Sequence, residues 1–484
     1  MKKILLVGIV LGTWLSAASQ VAVQAEFLGR WDNDALLGSA AYNNTYSGMW
    51  GLAVNGKEYG VIGSTAGTHI IDVSNPTQPV EAVFVPGASQ GTHIIHREYK
   101  NYGCYLYAVC DEGPSTLQII DISYLPDSVH VVYDSPALFS NSHTIYIDTA
   151  QAVLYCFSVS GGPQGYSAMR VYSLENPESP EFIGAYSNFG GLQVGHCHDG
   201  YAHNGIAYLN CAYSGFAIVD FTNPYQPVTL GTLTDYPFAG YNHSGWATAD
   251  GQYYYMADEN HGFKLKAMSV ADPSDIQVLA TFDAASASSS SIPHNPVVAC
   301  DYLYVAYYYD GLQVYDISDP ADPRRVMYYP TSTLTNSGSY AGAWGVYPFL
   351  PSGNILVGDM QNGLYIVAGP SGECEANDAT ILNCQVAAST RDFAVVGEWQ
   401  LYPQPAQDQI DMKIYWGESQ QMVKFCLVDI TGRVVARFED QVLAQGENAI
   451  RLELPKTLPA GMYALQLQSE SGLAVRKALL GGRE

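Results

Sequence analysis

One position in this chain returns seven times, at intervals of 43 to 55 residues, and is filled by histidine five times and tryptophan twice. It reads Trp50, His93, His143, His198, His243, His294 and Trp344. The chain has only eleven histidines, so five in one register mark one shared place in the fold. After each slot the same order of elements returns: a short strand, a turn, a second strand rich in Tyr, Val and Ile, a Gly, and a third strand ending in a turn. The third strand reads Thr68-His69-Ile70-Ile71-Asp72-Val73-Ser74-Asn75-Pro76 and returns as Phe216-Ala217-Ile218-Val219-Asp220-Phe221-Thr222-Asn223-Pro224 and Leu312-Gln313-Val314-Tyr315-Asp316-Ile317-Ser318-Asp319-Pro320. A fourth strand follows the turn, as in Glu181-Phe182-Ile183-Gly184-Ala185-Tyr186.

Four strands per repeat at this period predict an all-β, seven-bladed β-propeller, because one blade cannot bury both faces of its twisted sheet alone. The last repeat, from Trp344, lacks a fourth strand of its own. Glu26-Phe27-Leu28-Gly29-Arg30-Trp31 matches Glu181 to Tyr186, so the N-terminal segment is expected to complete the last blade and remove the sheet edges of an open array. A small β-sandwich is expected after the propeller, where the pattern changes to Lys424-Phe425-Cys426-Leu427-Val428-Asp429-Ile430 and a Thr431-Gly432-Arg433 turn.

The domain reading is therefore a secretory signal over residues 1–25, the propeller over 26–370, a linker over 371–397 and the sandwich over 398–484. The signal rests on Lys2 and Lys3, the apolar run Ile4 to Leu15, and small residues up to Ala25. No other stretch approaches a membrane span, so no transmembrane segment is expected once the signal is removed. The net charge of −25, carried almost wholly before the sandwich, would repel phosphate backbones and argues against a nucleic-acid partner. Nine cysteines in an exported chain permit disulfides. A local Cys374–Cys384 bridge in the linker is expected, with Cys104, Cys110, Cys156, Cys211 and Cys300 read as small buried hydrophobes.

Two resemblances follow from quoted residues. The tail, with Tyr402-Pro403-x-Pro405, Asp429-Ile430-x-Gly432-Arg433, Gly446-x-Asn448 and Pro459-Ala460-Gly461-Met462-Tyr463, resembles the type A C-terminal sorting domain of the Bacteroidetes type IX secretion system. That likeness implies type IX machinery as a partner of residues 398–484, and export across the outer membrane, with the product attached to the cell surface or secreted. Residues 26–368, through Trp50-Gly51, Gly67-Thr68, Ser142-His143, His198-Asp199, Asn242-His243-Ser244-Gly245-Trp246, Asp258-Glu259, His294-Asn295 and Gly311 to Ser318, resemble the LVIVD-repeat, "choice-of-anchor B" family of exported propellers. This second likeness implies fold and location and supplies little chemistry.

First strands line a propeller's central channel, so the slot residues should form a ring near one mouth. The second strands end at that face, bringing Asp111, Asp258, Glu259, Asp310 and Asp359 near it. Imidazole beside carboxylate suits one divalent transition metal ion as a cofactor, and His198, His243 and His294 with Asp258 and Asp310 make the best local cluster. The plainer reading is that each imidazole bonds a neighbouring blade's backbone. The Asp72, Asp121, Asp220 and Asp316 carboxylates are read as turn acceptors. Tyrosine is abundant, with 37 residues, and rings not packed between blades suit a glycan or protein ligand. No His-Glu-x-x-His, Walker loop or Cys-x-x-Cys is present. The functional expectation is thus an exported binding or interaction module. The alternative is a metal-dependent hydrolase or lyase acting on extracellular polymer at the channel mouth.

Overall fold

The computed structural model describes residues 22–284, 290–336, 338–370, 381–384, 396–417, 419–428, 434–456, 458–469 and 472–482. The expected leader through residue 21, Cys374, the Ser-rich stretch up to residue 289 and the expected Thr431-Gly432-Arg433 turn lie outside them. The described residues are all-β, and no helix among them is long and apolar enough to cross a membrane. They divide into two compact units, residues 1–384 and 385–484.

In the first unit seven antiparallel sheets carry four strands in the repeat order, two of them with one short parallel strand added at an edge. The first blade runs through Tyr46–Val54, Lys57–Ser64, Gly67–Asp72 and Val80–Pro86. The seven first strands touch in a closed cycle, with Ala343–Tyr347 of the last blade lying beside Tyr46–Val54 of the first. Closure comes from the N-terminus: Phe27–Trp31 pairs antiparallel with Gly363–Val367, Arg30 opposite Tyr365. A bulge at Leu28 occupies the place that Ile183 takes in the third blade, so the segment is a true fourth strand.

Glycine in that strand has a steric cause. A Cβ on Gly29 would lie 2.0 Å from the Pro76 carbonyl oxygen, and one on Gly231 would lie 1.7 Å from that of Pro273. In each case the Pro turn of the next blade presses its backbone into the fourth strand, and only glycine admits the approach. Asp72, Asp121, Asp220 and Asp316 each accept the backbone N–H two residues on, at 2.7–3.0 Å, which closes the turn.

The cysteines depart from the expected pairing. Cys384 bonds Cys104, 280 residues away, with Cα atoms 5.6 Å apart, and Cys300 is also disulfide-bonded. Neither Cys104 nor Cys300 is therefore merely a small buried hydrophobe, whereas Cys110, Cys156 and Cys211 are free and buried. The cause lies in Ile381–Leu382, which adds in parallel to Ala53 and Val54 on the first blade. That pairing carries Cys384 to the turn between Arg97–Tyr102 and Tyr105–Cys110. The compact unit thus extends to residue 384, past the expected end at 370. At the other end Val23–Gln24, read as the end of the leader, pairs in parallel with Arg324–Tyr329.

The second unit is a β-sandwich. One sheet orders Val396–Tyr402, Gln409–Trp416 and Gly446–Glu453; the other contains Val434–Arg437, Gln421–Val428, Gly461–Ser469 and Gly472–Leu480. Alternate residues Ile410, Met412, Ile414 and Trp416 point into one core shared with Phe425, Leu427, Leu465 and Leu467, the pattern of a strand buried on one face.

Candidate functional site: an aromatic ring across the channel mouth

Six rings, each tilted against the next, meet in a closed circle. Their centroids are separated by 5.0 Å from His96 to His143, 4.2 Å to His198, 4.0 Å to His243, 4.4 Å to His294, 4.9 Å to Trp344 and 5.2 Å back to His96. His96, His198 and His294 immediately precede their first strands, as Arg97 pairs with Cys110, Asp199 with Asn210 and Asn295 with Ala306. Bulges between Asn242 and Ser244 and between Ala343 and Gly345 free His243 and Trp344 from the ladder. A bulge lets a strand re-aim one side chain in this way.

Two expected ring members lie elsewhere. His93 is exposed in the loop before the second blade, its Nε2 3.1 Å from Ser89 Oγ; His96 takes its place. Trp50 sits deeper in the channel, its indole N–H donating to Asn101 Oδ1 at 2.8 Å and the Lys100 ammonium 4.2 Å from its ring. Five of the six ring residues are followed three places on by Tyr or Trp, namely Tyr99 after His96, Tyr146 after His143, Tyr201 after His198, Trp246 after His243 and Tyr347 after Trp344, whereas Val297 follows His294. Trp50 is itself such a follower, three places after Ser47.

The carboxylates also sort differently from expectation. Asp258 is fully buried and bound to Lys266 Nζ at 2.5 Å, while its other oxygen accepts from Tyr236 Oη at 3.0 Å and Gly240 N at 2.8 Å. It does not line the mouth, nor does Asp310, which accepts from Ser291 Oγ at 2.7 Å. Asp359 caps its own turn by accepting from Gln361 N and Asn362 N. Three carboxylates do reach the ring. Asp111 bonds His143 Nδ1 at 2.8 Å, Glu112 bonds His96 Nδ1 at 2.5 Å, and Glu259 faces His243 and His294. Glu112 was missed because the repeat reading anchored the second blade on His93.

Hydrogen bonds fix the tautomers. A carbonyl only accepts, so His198 Nδ1–H donates to the His243 carbonyl at 3.0 Å, and His294 Nδ1–H donates to the Trp344 carbonyl at 2.6 Å. Each bond crosses to the next blade. Each also leaves Nε2 as the free lone pair. Burial, with neighbouring imidazoles adding to it, holds His198 and His243 well below the usual histidine range, and burial brings His294 to about 3. His143 is raised despite its burial, because Asp111 accepts its proton and supplies the opposing charge. Burial pushes Glu259 up to about 7, against the Tyr308 hydroxyl that donates to it at 2.5 Å. The ring at neutral pH therefore offers three uncharged imidazoles, while the His143–Asp111 contact favours the charged form of each partner.

Above the ring opens a cavity of about 310 Å³, walled by Tyr42, Tyr213, Tyr241, Tyr308 and Tyr340 and floored by the imidazoles and Trp344. Tyr213 is 78% exposed and its ring stands 5.1 Å from that of Tyr241; Tyr340 packs against Tyr42 and Tyr308. Below the ring the channel continues past Glu98, Lys100, Thr144 and Asp199.

Comparison with known proteins agrees with the two-unit reading. The LVIVD repeat matches residues 49–85 and 297–331, and the secretion system C-terminal sorting domain matches residues 400–480. No curated protein matches the chain. Among solved structures, the chain is similar to a periplasmic gluconolactonase of Pseudomonas aeruginosa at 11% identity, over 85% of this chain and 99% of that one, with a TM-score of 0.49. It is also similar to a β-propeller domain from Myceliophteria thermophila at 8% identity, over 71% and 98% of the two chains, with a TM-score of 0.47. The chain carries LVIVD repeats in its β-propeller and a C-terminal sorting domain, which indicates export through type IX secretion to the cell surface or beyond.

Proposed function

We propose that this exported propeller is a binding module whose ligand, a carbohydrate chain end, enters the tyrosine-walled mouth. One observation carries the reading: five tyrosines and the imidazole ring converge on a single concave space of about 310 Å³. Tyrosine faces take the apolar C–H surface of a sugar while hydroxyl tips and ring nitrogens meet its hydroxyls. A protein ligand would meet the same aromatic and hydroxyl groups, but this mouth is narrow and concave, whereas protein interfaces of ordinary size are broad.

The test is a glycan array with the exported full-length protein, followed by calorimetry on the best oligosaccharide. Tyr213→Ala and Tyr340→Ala should each weaken binding by about tenfold, near the energy of one lost aromatic contact. Absence of any glycan signal, or equal binding by both variants and the parent, sinks the reading.

A further inference from the structure

We infer that His198, His243 and Glu259 form a site for one divalent transition metal ion of the zinc class at the floor of the mouth. The His243 Nε2 and Glu259 Oε2 atoms lie 3.8 Å apart, and His294 Nε2 lies 3.9 Å from Glu259 Oε1. Both separations are too long for a hydrogen bond. They suit donor atoms that face a common ion instead, since bonds of about 2.1 Å to a tetrahedral ion put donors about 3.4 Å from each other. His198 joins them, with one donor atom from each of the three residues lying within 4.8 Å of the others.

The surroundings support the assignment. The Nδ1–H of His198 is spent on a backbone carbonyl, so its Nε2 lone pair is the coordinating atom, the arrangement by which proteins orient a metal-bound imidazole. Tyr308 holds Glu259 by its other oxygen. His243 is 4% exposed, and the nitrogen it turns toward Glu259 is Nε2. The cluster of His96, Asp111 and His143 also holds donors in reach of one another, but there His143 and Asp111 already satisfy each other at 2.8 Å. Two imidazoles and one carboxylate leave a coordination position open, and here it faces the tyrosine-walled cavity. A ligand hydroxyl or carboxylate oxygen would complete the shell. This inference shares the mouth with the carbohydrate reading, but metal loading is measured with no glycan present, so either can fail while the other stands.

The experiment uses the full-length exported protein, stripped with chelator and dialysed. Zn²⁺ titration by calorimetry should give one equivalent. Co²⁺ should give the visible absorption of a four- or five-coordinate site with nitrogen donors. Glu259→Gln keeps the hydrogen bond to Tyr308 and removes the charged ligand. It should weaken Zn²⁺ binding by more than about 100-fold, since even outer-shell partners contribute about 10–100-fold. No stoichiometric Zn²⁺ binding, or undiminished binding by folded Glu259→Gln, overturns the site. Should that variant fail to fold, the Co²⁺ spectrum of the parent decides: a six-coordinate, all-oxygen spectrum overturns the inference.

Discussion

The rings of His96 and Trp344 lie 5.2 Å apart, although a whole blade separates the strands that carry them. The intervening first blade offers Ser47 and Gly48 at this level, within a bulge between Tyr46 and Met49. A Cβ on Gly48 would stand 2.0 Å from the Arg97 carbonyl oxygen, so the strand passes where a side chain cannot. Trp344, the largest ring of the six, bridges the opening. Gly48→Ala should therefore destabilise the propeller by roughly 1–3 kcal/mol, the range for overpacking a filled interior. It should also part His96 from Trp344. Urea unfolding of the variant against the parent measures the first effect, and the quantum yield of tryptophan fluorescence follows the second. An unchanged midpoint would mean that the strand has room the geometry denies.

Much of this architecture is legible in the sequence because the repeat is a packing rule. The Pro turn of one blade presses on a glycine of the blade before it, so Leu28-Gly29 and Leu230-Gly231 announce the same strand in two different blades. The site is less legible. His93 and Trp50 fit the period to within a few residues, yet a strand tolerates no such slack: one residue turns a side chain to the other face. Asp258 and Glu259 are neighbours with opposite fates for that reason, one buried against Lys266 and the other facing the imidazoles. The Cys104–Cys384 bond was beyond sequence reasoning because it depends on a two-residue strand adding to a distant edge.

Lys266 and Asp258 form an ion pair with both side chains at 0% exposure. The ammonium also donates to the Phe238 carbonyl at 2.9 Å. Removing one partner strands the other charge in the interior. Lys266→Met should cost about 3–5 kcal/mol, and the double change Lys266→Met with Asp258→Asn should cost clearly less than the two single changes added. A double-mutant cycle by denaturant unfolding checks this. Strict additivity would mean that the two groups do not act as a pair.

Asp359 sets a pH dependence. Burial pushes its carboxyl above the ordinary aspartate value, outweighing the N–H groups of Gln361 and Asn362 that favour the ionised form. The folded state therefore holds this proton more tightly than the unfolded chain. Its contribution to stability is complete below the unfolded pKa and is lost as pH rises through the raised folded pKa. Asp359→Asn removes that loss. The stability of the variant relative to the parent should rise as pH increases across this window and level off above it, read by urea unfolding at stepped pH. A difference that stays flat, or falls, with rising pH contradicts the assignment.

The bond from Cys384 to Cys104 closes a span of 280 residues and pins the strand Ile381–Leu382, whose Leu382 carbonyl accepts from Asn55 N at 2.9 Å. A two-residue strand holds too few hydrogen bonds to stay on an edge unaided. Cys384→Ser should therefore do two things together. It should lower stability by roughly 2–5 kcal/mol, as expected for loss of a long-range native bridge, and it should expose the amide of Asn55 to solvent exchange. Cys426→Ser, at a free cysteine in the sandwich, supplies the comparison and should leave both readouts of the propeller unchanged. If Cys384→Ser instead exchanges at Asn55 no faster than the parent, the strand is held by its packing of Leu382 against Leu52 and Val54, and the disulfide contributes only through the unfolded chain.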